Sequence, residues 1–165
     1  MLTYRLPRNP STPRGVVWRK LRRLGVAQLA DGLVALPADA RTREQLEWVA
    51  DEVREADGTA GVWLARPSSM ELERDTAAGM AAARADEYGT LHAEIVAAAA
   101  LPDAERARAL RRHREQLRRI RRRDFFPPPE REAVTAALDQ LAATAPARST
   151  RQTPAHPRFT VSGRL

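Results

Sequence analysis

The chain has 165 residues, a formal net charge of +7 and no cysteine. Disulfide frameworks, thiolate zinc sites, iron–sulfur clusters and cysteine nucleophiles are therefore excluded. No apolar run is long enough to span a bilayer, so the excess charge points to a polyanionic partner, nucleic acid ahead of membrane. Lys20 is the only lysine, and nearly all the positive charge is arginine in an alanine-rich background. Base composition alone can produce that bias, so how the charge is arranged matters more than its sum.

The pattern at the start of the chain is strand-like. Leu2, Tyr4 and Leu6 alternate with polar residues until Pro7, as a half-buried strand requires. Thr12 followed by Pro13 then opens a helix that sets Val17, Leu21 and Leu24 on one face and ends at Gly25,. Its other sides carry Arg14, Arg19, Lys20, Arg22 and Arg23. VAQLADGLVALP is read as two strands joined at Asp31-Gly32, a dipeptide that tolerates the positive φ of a tight hairpin,. A second helix is predicted from Thr42, with Thr42 and Gln45 in capping-box spacing and Leu46, Val49, Val53 and Ala56 as its buried stripe,. After Asp57-Gly58, TAGVWLARP reads as a fourth strand. The order β-α-β-β-α-β predicts an α+β, ferredoxin-like domain over residues 1–67, with two helices on one face of a four-stranded antiparallel sheet.

Beyond Pro67 strand patterns stop, and residues 68–143 are predicted as a helical region. Ser68 and Glu71 offer capping-box spacing for a helix reaching about Ala100, and Pro102 starts another that runs to about Arg123,. FFPPP ends that helix, because three prolines can neither donate the backbone hydrogen bonds nor adopt the packing of a helix interior. Glu130 to Ala143 forms the last helix, with Val134, Leu138 and Leu141 inward. Residues 144–165 are polar and interrupted by proline, which predicts a flexible basic tail,.

The sharpest chemical feature is the helix holding Arg111, Arg112, Arg114, Arg118, Arg119, Arg121, Arg122 and Arg123. Only a stripe of Ala107, Leu110, Leu117 and Ile120 is available for a core, and Glu105 and Glu115 provide sparse compensation,. A solvated helix usually mixes both signs; this one predicts an anionic partner. Phe125 and Phe126 are expected to anchor the helix end, with Asp124 pairing to Arg121 or to an arginine elsewhere. His92, His113 and His156 lack ligand spacing, so no metal site is expected, and His113 is read as a surface or groove residue. Asp86, Glu87, Asp51 and Glu52 are read as solvated surface carboxylates. No nucleophile elbow, phosphate loop or dinucleotide motif is present, so neither enzymatic activity nor a cofactor is expected. The N-terminus carries no apolar signal region, and a cytoplasmic location is expected.

PRGVVWRKLRRLGVAQLADGLVALP, TREQLEWVADEVREADGTAGVW, ARADEYGTLHAEI and LRRIRRRDFF, in that order and spacing, resemble the N-terminal domain of the ChrB chromate-resistance regulators. That domain is similar in turn to the middle domain of PaaX-type repressors. The resemblance covers about residues 1–143. It implies a DNA-binding transcriptional regulator linked to chromate resistance, usually dimeric and not a catalyst. Full-length ChrB proteins carry a second, C-terminal domain that the resemblance does not reach. Small CRISPR-associated nucleases share the ferredoxin-like fold and hold metal with an acidic residue after the first strand. Here that place reads Leu6-Pro7-Arg8-Asn9, which does not fit such a nuclease. The expected DNA-binding residues are thus Arg14, Arg19, Lys20, Arg22 and Arg23 with the eight arginines from Arg111 to Arg123. DNA is the expected partner, with a homodimer and a separate sensor protein as further candidates and no membrane. The alternative is a non-catalytic interaction module whose basic helix docks on an acidic protein, and a third reading is an oxyanion binder using clustered guanidinium groups.

Overall fold

Four short strands carry the first half of the molecule. In β1 (Leu2–Arg5) Leu2 is fully buried while Thr3 and Arg5 face solvent, the period-two alternation of a sheet with one wet face. β2 (Ala27–Ala30) and β3 (Leu33–Ala35) form the hairpin expected at Asp31-Gly32. Gly32 has φ +70°, and a Cβ there would lie 2.3 Å from the Tyr4 carbonyl oxygen. The hairpin tip is pinned to β1 by the Tyr4 N–H donating to the Gly32 carbonyl at 2.8 Å. β4 (Thr59–Val62) completes a sheet of order β2-β3-β1-β4, every neighbouring pair antiparallel. The structure is a computed structural model that describes residues 1–9 and 12–144.

Two helices cover the sheet. α1 (Thr12–Leu24) buries Val17 and Leu21, and α2 (Ala40–Glu55) buries Leu46, Val49, Ala50 and Val53. With Leu2, Leu6 and Val34 these side chains form the first core. α2 begins earlier than its sequence suggests. Asp39 is the N-cap and Thr42 stands at the third helical position: the Thr42 N–H donates to Asp39 Oδ1 at 2.7 Å, and the Asp39 N–H donates to Thr42 Oγ1 at 3.2 Å. Thr42 cannot act as the N-cap, because its hydroxyl, 2.6 Å from the Pro37 carbonyl, is engaged with the preceding chain. The fourth strand is shorter than TAGVWLARP implies. Its ladder to β1 ends at Met1, where the Trp63 N–H donates to the Met1 carbonyl at 2.9 Å, and the chain then leaves the sheet.

The remaining helices are α3 (Met70–Ala98), α4 (Asp103–Arg121) and α5 (Glu130–Ala143). Ser69 rather than Ser68 caps α3, its hydroxyl accepting from the Leu72 N–H at 3.2 Å. At roughly 1.5 Å per residue α3 spans about 43 Å, and its two halves do different work. From Tyr88 onward it joins α4 and α5 around a second core that includes Leu91, Ile95, Leu110, Leu117, Ile120, Val134, Leu138 and Leu141. Its first four turns lie beside β2 and are largely open. On α4 the inward stripe is Ala109, Leu110, His113, Leu117 and Ile120; Ala107, expected inside, is only half-buried, and Ala109 takes its place. Among the described residues no helix is long and apolar enough to cross a membrane. The flexible tail expected over residues 144–165 lies, beyond Thr144, outside the described residues.

Candidate functional site

The inward stripe of α4 determines where its arginines go. With an advance of about 100° per residue, burial of Ala109, His113, Leu117 and Ile120 turns Arg108, Arg111, Arg112, Arg118, Arg119 and Arg122 to the opposite face. All six are exposed, as are Arg114 and Arg121 on the flanks. The row from Arg108 to Arg122 runs for about 21 Å. Glu115 is the carboxylate within it, accepting from Arg118 Nη2 at 2.6 Å and approached by Arg119 at 3.5 Å. Those two arginines hold its carboxyl below the usual carboxylate range, chiefly through the Arg118 hydrogen bond. Arg121 donates to Thr135 Oγ1 at 2.8 Å. Among the described residues Arg108, Arg111, Arg112, Arg114 and Arg122 make no ion pair. Arg108 was not among the residues expected from sequence, although it precedes Arg111 by three and so shares its face.

The basic residues of α1 divide. Arg19, Arg22 and Arg23 are exposed. Lys20 is paired with Glu52 of α2, and Arg14 turns back to the Leu6 and Pro7 carbonyls at 3.4 and 3.3 Å. α1 and α4 converge at their C-terminal ends. Gly25, with φ +78°, lies so close to Arg123 that a Cβ would sit 2.8 Å from the Arg123 Cβ and 2.9 Å from its carbonyl oxygen. Both helices carry arginine in their last turns, Arg22 and Arg23 on one and Arg118, Arg119 and Arg121 on the other. Cations there complement the negative end of each helix dipole, and the close approach of Gly25 to Arg123 sets the two helix ends at one corner.

Beneath that corner is a network of charges that the sequence only hints at. Asp124 has a fully buried side chain; its Oδ2 accepts from the Tyr88 hydroxyl at 2.8 Å and lies 3.5 Å from Arg131 Nη1. The expected arginine partner therefore comes from α5, not from Arg121. Burial and then the Asp124 hydrogen bond push the Tyr88 phenol well above its ordinary value. Glu87, read from sequence as a solvated carboxylate, instead bridges α3 to the end of α4. It accepts from Arg123 Nη2 at 2.5 Å and pairs with Arg84 at 3.0 Å. Burial lowers the Arg84 guanidinium, partly offset by Glu87, with Arg123 nearby adding to the lowering. Arg123, expected at the DNA surface, is thus largely buried and spent on this pair. Arg84 stands 39 positions earlier in sequence, and no local pattern links the two.

Phe125 and Phe126 do close the helix end. Phe125 is half-buried with the Arg41 guanidinium 5.9 Å from its ring centre, and Phe126 faces an open groove. His113, expected on the surface or in a groove, is 2 % exposed, because its place on the wheel falls within the inward stripe. Glu94 Oε2 lies 3.6 Å from its Nδ1. Among the described residues no cluster of three or more His, Asp and Glu side chains is placed to hold a metal ion.

These features define a class: an α+β unit joined to a helical bundle, with an arginine face on the bundle and part-buried ion pairs behind it. Residues 14–152 match the family described as Protein ChrB, N-terminal, and the chain belongs to that family. It is 30% identical over 131 residues to Protein ChrB of Cupriavidus metallidurans (strain ATCC 43123 / DSM 2839 / NBRC 102507 / CH34), an alignment covering 77% of this chain and 40% of the relative. The chain thus spans well under half the length of the curated relative it matches. No solved structure matches.

Proposed function

We propose that this chain is a DNA-binding regulator of the ChrB type, linked to chromate resistance and acting in the cytoplasm by binding rather than catalysis. The observation that carries the reading is the exposed face of α4, where arginines extend along about 21 Å with Glu115 as the acid among them. Duplex DNA carries one negative charge per roughly 1.7 Å of axis, and guanidinium groups in such a row release counterions when they meet it. Arg19, Arg22 and Arg23 of α1 extend the surface at the corner where the two helices converge. We read residues 1–67 as a ferredoxin-like domain, a reading supported by the β-α-β-β-α-β order and the β2-β3-β1-β4 sheet. Residues 68–143 are then the helical region that presents the arginines.

The test is binding to duplex DNA from the gene's own upstream region and to a scrambled duplex of equal length, at low and at physiological salt. Preference for the native fragment that persists at physiological salt supports a specific regulator. Equal affinity for both, erased by salt, overturns it in favour of an interaction module whose basic helix docks on an acidic protein.

A further inference from the structure

The sheet order leaves β2 at an edge, and among the described residues its backbone bonds to β3 and to no other element. An edge strand presents unpaired N–H and C=O groups, which native proteins cover or pair. Along this edge lies α3, which supplies side chains but no strand. The two run in opposite directions: a Cβ on Gly25 would fall 3.1 Å from Arg84 Nη1, while Leu29 shares its surroundings with Thr76 and Met80. Between them is a cleft of about 460 Å³, within the roughly 300–1,000 Å³ of ligand sites. Its helical wall is low, because Gly79 stands in the middle of it, where a Cβ would meet nothing within 4 Å.

The two ends of the cleft differ. At Gly25 it is closed by the packing of Arg84 and Arg123 on the glycine. At Leu29 it opens into a groove of about 1190 Å³ that Leu36, Leu64 and Leu72 also line. The closed end holds more guanidinium than acid. Arg84 and Arg123 share Glu87, and Asp124 nearby is engaged by Tyr88 and Arg131. Arg84 Nε and Nη1 and Arg123 Nε are left without an acceptor, a state that costs stability until an oxygen ligand arrives.

We propose that this cleft takes the C-terminal segment of a protein partner, extended and antiparallel to β2, with its terminal carboxylate at Arg84. Three features select that occupant. An unpaired edge selects the backbone of another strand. A closed end suits a chain that stops there, while the open end lets the preceding residues leave. A carboxylate matches guanidinium donors that Glu87 does not saturate. From Gly25 to Leu29 the chain advances about 13 Å and from Arg84 to Asp75 about 14 Å, so the walls flank about four residues. The bulge between Gln28 and Ala30 confines regular pairing to roughly the last three,. Asp75 stands at the open end, so the cleft lacks the uniform positive charge that a nucleic acid backbone calls for.

The probe is a library of random peptides displayed with free C-termini, selected on the full chain at physiological salt, and the selected peptides are then measured by fluorescence anisotropy. The expected binders lose about tenfold or more in affinity when their terminal carboxylate is made an amide, the loss of a charged hydrogen bond. Gly79→Leu fills the cleft and abolishes binding, and because leucine is the better helix former its melting temperature does not fall. Gly89→Leu, at a second open position of the same helix but outside the cleft, leaves binding unchanged. Bound peptide slows amide hydrogen exchange in β2. A library with no binder tighter than about 100 µM, binding that survives Gly79→Leu or amidation, as an acidic peptide on the arginine face would, or exchange in β2 that does not slow, each overturns the proposal. None of these outcomes bears on DNA binding, which the arginine face carries by itself.

Discussion

At the scale of single residues, the chemistry hidden from sequence is the chemistry of burial. His113 sits among Arg112, Arg114 and Glu115 in sequence and reads as a surface group, yet its ring is inside the bundle. Burial lowers its pKa, Arg112 lowers it further, and Glu94 and Gln116 oppose the shift. The unfolded chain takes up a proton near the ordinary value of 6.5 while the folded chain resists it, so this contribution is present above that pH and is lost as pH falls below it,. The urea midpoint should therefore fall between about pH 7 and pH 5, and His113→Leu should flatten that part of the profile. An unchanged profile in the variant would show that other groups set the acid limb. Asp124 is the partial success at this scale: its need for an arginine was legible, but not that Arg131 and Tyr88 would supply the partners.

At the scale of elements, patterning worked wherever a stripe was long. The limits of α5 and the stripes of α1 and α2 were legible because apolar residues recur there at helical spacing,. Element ends were less so. Whether Thr42 or Asp39 caps α2 depends on where the Thr42 hydroxyl goes, and that is decided by Pro37 across the turn. α4 is the element on which the functional reading turns, and its arginines can be separated experimentally by what they touch. Replacing Arg111, Arg112 and Arg122 together with alanine should reduce the slope of log affinity against log salt by nearly 3, at about 0.9 for each phosphate no longer neutralised. Arg123→Ala, which removes a guanidinium from Glu87 and not from the exposed row, should leave that slope nearly unchanged and lower thermal stability instead. A salt slope unaffected by the triple change would remove α4 from the interface.

At the scale of the whole molecule, Gly25 against Arg123 is one of the places where the two cores meet, beside the packing of α3 along β2 and of Arg41 on Phe125. Gly25→Ala imposes positive φ on a residue with a Cβ and drives that carbon into the Arg123 backbone. The combined cost is about 2–4 kcal/mol. A drop in stability of that size, read by chemical denaturation, is expected, and a neutral effect would mean that the two units are held together elsewhere. The element order, the α+β class, the hydrophobic stripes and the arginine-rich face of α4 were all legible along the chain, because each depends on residues within a few turns of one another. Folding in three dimensions was needed to bring Arg84, Glu87 and Arg123 into one part-buried network, to place His113 in the interior, and to line one apolar groove with the segments around Leu36, Leu64 and Leu72. Those outcomes depend on contacts between segments far apart in the chain, and local periodicity carries no information about which distant surfaces will meet.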